Sequence, residues 1–403
     1  MRAMISVADA QAHILAQVTR IAPPEVVALG VCLGRVLAED VRAAFDVPPT
    51  DNSAVDGYAV RSEDIPRTGA QDLTVVADLP AGAVFDGTLG PREALRIMTG
   101  APMPTGAGTV YPQEIVERRG PAVRIPAGPA GVNVRHRGED VRAGSVVLTA
   151  GTALRPQELG VAASLGLPQL LVHQRPRVAI LSTGNEVVEP GESRKPGQIF
   201  DSNRFSLHGL VQAAGGQATD LGIVPDLYDV LHARLRAAAA ATDIVLTSGG
   251  VSVGEHDLVK AVLQDAGGID FWQVAMQPGR PLAVGRIGGA HFFGLPGNPV
   301  ASMLTFHLFV RPALWKLAGR RELFPPRFHA VATEPMSKKT GRREFKRGIL
   351  AYRGDRWEVR TTGPQGSGIL TSMTLANCFV VIEEERGDVA AGDTVTVEPF
   401  ALD

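Results

Sequence analysis

The sequence predicts a multidomain protein of α/β plus β class, in which a βα domain with a parallel sheet is joined to an inserted β module and a small C-terminal β domain. Three observations carry this expectation. From Arg175 onward, apolar runs of strand length alternate with amphipathic helical stretches, and the runs end in turns rich in Gly, Ser and Asn. Between residues 45 and 143 the β-like runs are short, densely punctuated by Gly and Pro, and free of long helical periods. Beyond Pro325-Pro326, which reads as a hinge, apolar and polar residues alternate around 378–382 and 394–397.

Taken in order, Ser6 is a cap for a first helix whose apolar face is Ala10, Ile14, Leu15 and Val18. A corner at Pro48-Pro49 opens the β texture, with runs at 73–76 and 95–98 and a Gly/Pro-rich turn at 99–104. A strand at 145–148 and a helix at 156–165 restore a mixed character. The segment 45–143 therefore reads as an insertion into a linking domain built from 1–44 and 144–174. In the 175–325 domain, a strand at 178–181 leads into Ser182-Thr183-Gly184-Asn185-Glu186. A helix capped near Asp201 or Ser202 follows and stops at Gly215-Gly216. Next come a strand at 221–224 and a helix with Leu227, Val230, Leu231 and Leu235 on its apolar face, closing in the alanine run 237–241. The strand 291–295 runs into Pro296-Gly297-Asn298-Pro299, where Asn298 can cap and Pro299 sits at the first helical position. Residues 326–403 form the C-terminal β domain.

The segment 247–257, Thr-Ser-Gly-Gly-Val-Ser-Val-Gly-Glu-His-Asp, lies between the apolar run 244–246 and a helical face of Leu258, Val259, Val262, Leu263 and Ala266. Its glycines occupy a strand-to-helix turn, where a backbone without Cβ comes close to a ligand and free amides meet the positive end of the helix dipole. That arrangement suits a phosphate or another oxyanion. Glu255 and Asp257 add carboxylates that an anion cradle does not need, which points to a divalent cation beside the anion, although first-turn acidic residues also serve as plain helix caps. Ligands of open parallel sheets bind beyond the C-terminal strand ends, and here that rim carries Glu186, Asp226, Asp257 and the Gly297-Asn298 turn.

With a formal charge of −2 the chain has no global field for nucleic acid or a membrane surface. No run approaches the ~18 apolar residues of a membrane span, and the start lacks an apolar signal core, so a cytoplasmic enzyme is expected. Cys32 and Cys378 lack metal-type spacing and read as buried or free thiols.

Several motifs occur in one order: 51–59 (DNSAVDGYA), 96–102 (RIMTGAP), 137–140 (RGED), 182–186 (STGNE), 248–255 (SGGVSVGE) and 294–299 (GLPGNP). This array closely resembles the molybdopterin molybdenumtransferases, or molybdenum insertases, which include the E domain of gephyrin, and it covers essentially the whole chain. The resemblance implies an elongated homodimer of four-domain protomers. It implies that adenylated molybdopterin binds with magnesium, that molybdate is inserted at the dithiolene and that AMP leaves. It further implies the molybdopterin adenylyltransferase and apo-molybdoenzymes as partners. Carried over by position, Glu186, Asp226 and Asp257 are the magnesium-holding and catalytic carboxylates, while Asp56, Thr99 and Asp140 face them across the dimer cleft. Ser248, Gly249, Gly250, Ser252, Gly297 and Asn298 are the cofactor-binding turns, Arg280 faces the anion, and Arg347 with Ser367 binds molybdate. Read singly, each carboxylate is a turn or cap residue, Thr99 simply shapes its turn, and the basic run 338–347 is mostly a solvated face.

One stretch departs from the pattern. Around 271–281 many family members carry lysines, whereas here Gln273 and Gln277 are neutral and Arg280 alone is cationic. Two further functions stay open on these grounds. One is a molybdopterin adenylyltransferase, which the α/β domain resembles but the extra domains disfavour. The other is a scaffold or carrier that binds molybdopterin without chemistry.

Overall fold

The computed structural model describes residues 4–19, 21–249 and 258–400, the side chains of 258–260 excepted. Ser6 caps the first helix, Val7–Gln17, by accepting the Asp9 amide on Oγ at 3.0 Å. That helix does not pack with the linking domain to which its sequence position assigns it. Its buried Val7, Ala10 and Ile14 join the core of the α/β domain beside Leu308, Val310 and Leu314, because a single amphipathic helix must bury its stripe on whatever larger apolar face is adjacent.

The two flanks of the insertion share one core. Strand Pro24–Ala28 pairs antiparallel with Gln169–His173, and Val41–Arg42 pairs with Val146–Leu148. Cys32, Leu37 and Val41 from one flank bury against Leu148, Ala162 and Leu170 from the other. Between them the inserted module forms a six-stranded sheet, Thr109–Pro112, Gly57–Val60, Glu93–Ile97, Ala70–Leu79, Ala122–Pro126 and Glu117–Arg119 in spatial order, with apolar clusters on both faces.

The α/β domain holds six strands in the order Gln217–Val224, Arg177–Thr183, Ile244–Ser248, Ala290–Leu295, Pro281–Ile287, Gly268–Gln273. The first four are parallel, Pro281–Ile287 runs against them and Gly268–Gln273 pairs antiparallel with Pro281–Ile287, so the expected wholly parallel sheet is corrected to a mixed one. An antiparallel edge is common on a sheet of this kind. The parallel strands are buried on both faces: Ile180 and Leu246 point into one core with Leu207 and Val211, while Leu181 and Val245 join Leu231, Leu235 and Val262 in the other. In helix Tyr228–Ala241 the covered residues are Leu231, Leu235, Ala238 and Ala239; Leu227 and Val230 are exposed, so that helix's apolar face is narrower than its sequence pattern.

The C-terminal strands close on themselves. Arg343–Arg353 pairs with Arg356–Thr361, which pairs with Phe328–Ala332, then Thr394–Pro399, then Cys378–Ile382, which returns to Arg343–Arg353. The result is a five-stranded barrel without a free edge, and Met276–Gln277 of the α/β domain adds alongside Arg343–Arg353. Cys32 and Cys378 are free and buried, and burial pushes the Cys378 thiol up to about 12. No helix among the described residues is long and apolar enough to cross a membrane.

Candidate functional site

At the C-terminal ends of the parallel strands three turns converge. Gly249, at φ +90°, donates its amide to the Leu295 carbonyl at 3.1 Å. A Cβ on it would lie 3.0 Å from the Thr183 carbonyl oxygen, and one on Gly297 would lie 3.9 Å from the Gly249 Cα. The turns after Arg177–Thr183, Ile244–Ser248 and Ala290–Leu295 thus touch backbone to backbone, which glycine permits. Asn203 opens helix Asn203–Ala213 and ties two of them, its Nδ2 donating to Ser248 Oγ at 2.8 Å and to the Gly297 carbonyl at 2.7 Å. Ser182, Thr183 and Thr247 add buried hydroxyls that have no hydrogen-bond partner among the described residues. Sequence reasoning missed Asn203 and these hydroxyls; their signal was position, one residue inside a helix and at the last strand residues.

Glu186 is exposed just beyond strand Arg177–Thr183, and the half-buried Asp226 lies just beyond Gln217–Val224, its parallel neighbour. Gly184, at φ +126°, leaves the room into which the Glu186 carboxylate folds: a Cβ there would sit 2.7 Å from its Oε2. Asp257, Gly250 and Ser252 lie outside the described residues. Among the described residues no group of three His, Cys, Asp or Glu side chains is assembled for a metal.

Asn298 takes the N-cap position and Pro299 the first turn, but the Asn298 side chain makes no capping bond. From the barrel side, the Ser367 carbonyl accepts the Val300 amide at 3.1 Å, bringing Ser367 to the Gly297-Asn298 turn. Arg347 is behind that loop, 1% exposed. Its guanidinium donates to the carbonyls of Gln365 at 3.1 Å and Gly366 at 3.0 Å and to Ser372 Oγ at 2.9 Å. It clamps the loop that presents Ser367 to the Gly297-Asn298 turn. The rest of the basic run is mixed: Lys339 is exposed and Arg342 half-buried, whereas the others are held by partners. Lys338 Nζ donates to the Arg386 carbonyl at 2.6 Å and Lys346 Nζ to Glu344 at 2.7 Å, both buried, and Arg343 pairs with Glu383 and Glu384. A cation buried between the barrel and its neighbours requires such partners.

Arg280 is exposed, with Nη2 3.8 Å from Met4 Sδ. Its turn is gripped from two sides: the Arg343 amide donates to the Ala275 carbonyl and the Ala275 amide to the Ile5 carbonyl. Gln277 is exposed and Gln273 half-buried on the same turn.

In the inserted module, Asp56 Oδ1 accepts from the Thr99 amide at 2.8 Å and from Thr99 Oγ1 at 2.7 Å. Those two bonds hold its carboxyl below the usual range, leaving an anionic, half-buried carboxylate whose orientation Thr99 fixes. Asp140 is exposed in a turn whose amide donates to the Val47 carbonyl. Among the described residues no hydrogen bond or ion pair joins 45–143 to 175–400. The apolar cavity of about 630 Å³ lies elsewhere, at the far ends of the rim helices, between Leu210, Met303, Trp315 and Phe400.

A rim of backbone turns, hydroxyls and carboxylates at the strand ends of a mixed α/β sheet, beside a β-barrel, defines a multidomain α/β plus β protein. Family models account for nearly all of the chain: the MoeA N-terminal region (domain I and II) over residues 5–166, a "probable molybdopterin binding domain" over 179–316, and the MoeA C-terminal region (domain IV) over 329–400. The molybdopterin molybdenumtransferase of Haemophilus influenzae is 40% identical over 98% of this chain and 99% of its own. Molybdopterin molybdenumtransferase 2 of Mycobacterium tuberculosis is 40% identical over 96% and 97%. The crystal structure of the molybdopterin biosynthesis MoeA protein of Pyrococcus horikoshii superposes with a TM-score of 0.87 at 32% identity, covering 99% of this chain and all of that one. The chain belongs to the molybdopterin molybdenumtransferase family.

Proposed function

We propose that this protein inserts molybdate into adenylated molybdopterin, with magnesium-dependent release of AMP, in a homodimer. The observation that carries the reading is the convergence of the Thr183, Gly249 and Gly297 turns at one rim, with Ser248 and Asn203 between them, inside the segment matched by the molybdopterin-binding model. Closely packed glycine turns at strand ends offer amides to the pyrophosphate of an adenylated cofactor. Glu186 and Asp226, on neighbouring strand ends, are hard oxygen donors of the kind magnesium takes, and with Asp257 they would hold it. The bound ion would offset charge building on the departing AMP. Asp56, kept anionic and oriented by Thr99, and Asp140 have no bond to this rim among the described residues. A second protomer's inserted module supplies them across the cleft in this reading. Arg280, exposed on a turn beside the rim helix, is the cation left for molybdate.

The neutral Gln273 and Gln277 favour a second reading, a carrier that binds molybdopterin without turnover. Purified protein incubated with adenylated molybdopterin, magnesium and molybdate distinguishes the two. AMP release with formation of active cofactor is expected. Tight binding with no AMP release leaves the carrier, and ATP-dependent adenylation of free molybdopterin would mean the adenylyltransferase.

A further inference from the structure

Asn203 carries a role that follows from hydrogen-bond polarity. A carbonyl oxygen only accepts, so the side-chain amide group 2.7 Å from the Gly297 carbonyl must be the NH2, which fixes the orientation of Asn203. The same nitrogen is 2.8 Å from Ser248 Oγ, which therefore accepts. The proton of Ser248 is then directed elsewhere, and no acceptor for it exists among the described residues. Ser248 is the last residue of strand Ile244–Ser248, next to Gly249 of the strand-end turn. A serine locked as acceptor toward its neighbour is a donor toward whatever binds in front of it.

A second observation points the same way. Asn203 is 8% exposed, yet its buried Oδ1 has no partner among the described residues. Leaving a buried acceptor unmet is costly, and an apolar residue of similar size would avoid it. What the amide gains is its pair of donors, placed on two turns that come from distant parts of the chain.

We propose that Asn203 is a positioning residue: it sets Ser248 as a hydrogen-bond donor to an anionic oxygen of the bound ligand, and it fixes the spacing of the Ser248-Gly249 and Gly297-Asn298 turns that receive that oxygen. The ligand chemistry is an oxyanion of phosphate type, and the role rests on the proposed binding of adenylated molybdopterin at this rim.

The test is equilibrium binding of adenylated molybdopterin, without turnover, to Asn203→Ala, Ser248→Ala and the double variant, with thermal melting in parallel. Each single change is expected to weaken binding roughly tenfold, the worth of one hydrogen bond to a charged oxygen. The double variant is expected to bind no worse than the weaker single one, because both act through one hydroxyl. A purely structural Asn203 would lower the melting temperature and leave the affinity of the folded protein unchanged, which overturns the proposal. Additive losses overturn the coupling through Ser248. If Asn203→Ala does not fold, Ser248→Ala alone decides, since unchanged affinity in it removes the donor on which the role depends. Failure of the wild-type protein to bind adenylated molybdopterin would instead overturn the underlying functional reading, and is seen before any variant is made.

Discussion

Arg347 and Arg280 separate into support and contact, and their variants should behave oppositely. Arg347→Met leaves three loop carbonyls and Ser372 facing an apolar side chain in a buried site. Chemical denaturation should register a loss on the order of 3 kcal/mol. Arg280→Ala, at an exposed position, should change stability by less than about 0.5 kcal/mol while raising the molybdate concentration needed for half-maximal insertion. An unchanged requirement would take the 274–280 turn out of the oxyanion pocket. Histidines give the residue scale its pH dependence. Burial pushes His291 down from 6.5 to about 4 and His307 to about 3, so in the folded state both stay neutral where the unfolded chain takes up protons. Stability is therefore full above about pH 6.5 and declines as pH falls toward 4, by about 2 kcal/mol per histidine at pH 5. Urea midpoints at pH 7 and 5 measure this, and His307→Phe, which keeps the aromatic contacts with Phe379 and Phe400, should remove its share. An undiminished acid loss in that variant would place the effect elsewhere. The residues of the turn motifs were legible in the sequence as types, but their roles were not. Arg347 reads as a free cation beside Lys346 until the 364–372 loop and the α/β core cover its face of the strand.

At the scale of elements, the three rim turns work as one unit because glycines let their backbones meet. Gly249→Ala combines a left-handed φ with a Cβ only 3.0 Å from the Thr183 carbonyl, so it should cost about 1–2 kcal/mol and also weaken binding of adenylated molybdopterin. Normal affinity in the folded variant would mean that the spacing of these turns does not matter for the ligand. The βα alternation, the first helix and the β character of both flanking modules were readable because each rests on local period and local turn chemistry. The antiparallel pair Gly268–Gln273 and Pro281–Ile287 was not, since strand direction depends on the partner and on the turn 274–280, which the C-terminal barrel and the N-terminal segment hold in place. The partner of helix Val7–Gln17 was hidden for the same reason: its apolar stripe is visible in the sequence, but the surface it covers belongs to residues some three hundred positions away.

At the scale of the whole molecule, the oriented carboxylate Asp56 and the rim carboxylates Glu186 and Asp226 occupy different modules, with no bond between those modules among the described residues. If both sets act on one substrate in the homodimer proposed above, each chain gives its inserted module to the other's rim. In a symmetric dimer the consequence is quantitative. Asp56→Ala and Asp226→Ala should each be inactive as pure proteins. Mixed and allowed to exchange subunits, they form hybrids in which one cleft carries both lesions and the other carries none. With random exchange half the dimers are hybrids and half the clefts within them are intact, so activity should return to about a quarter of the wild-type value per chain. Subunit exchange is confirmed separately by tagging one variant and recovering the other with it. Hybrids that form and remain inactive would place Asp56 and Asp226 in the same protomer's cleft or remove one of them from the reaction; monomers of full activity would dispose of the shared cleft altogether.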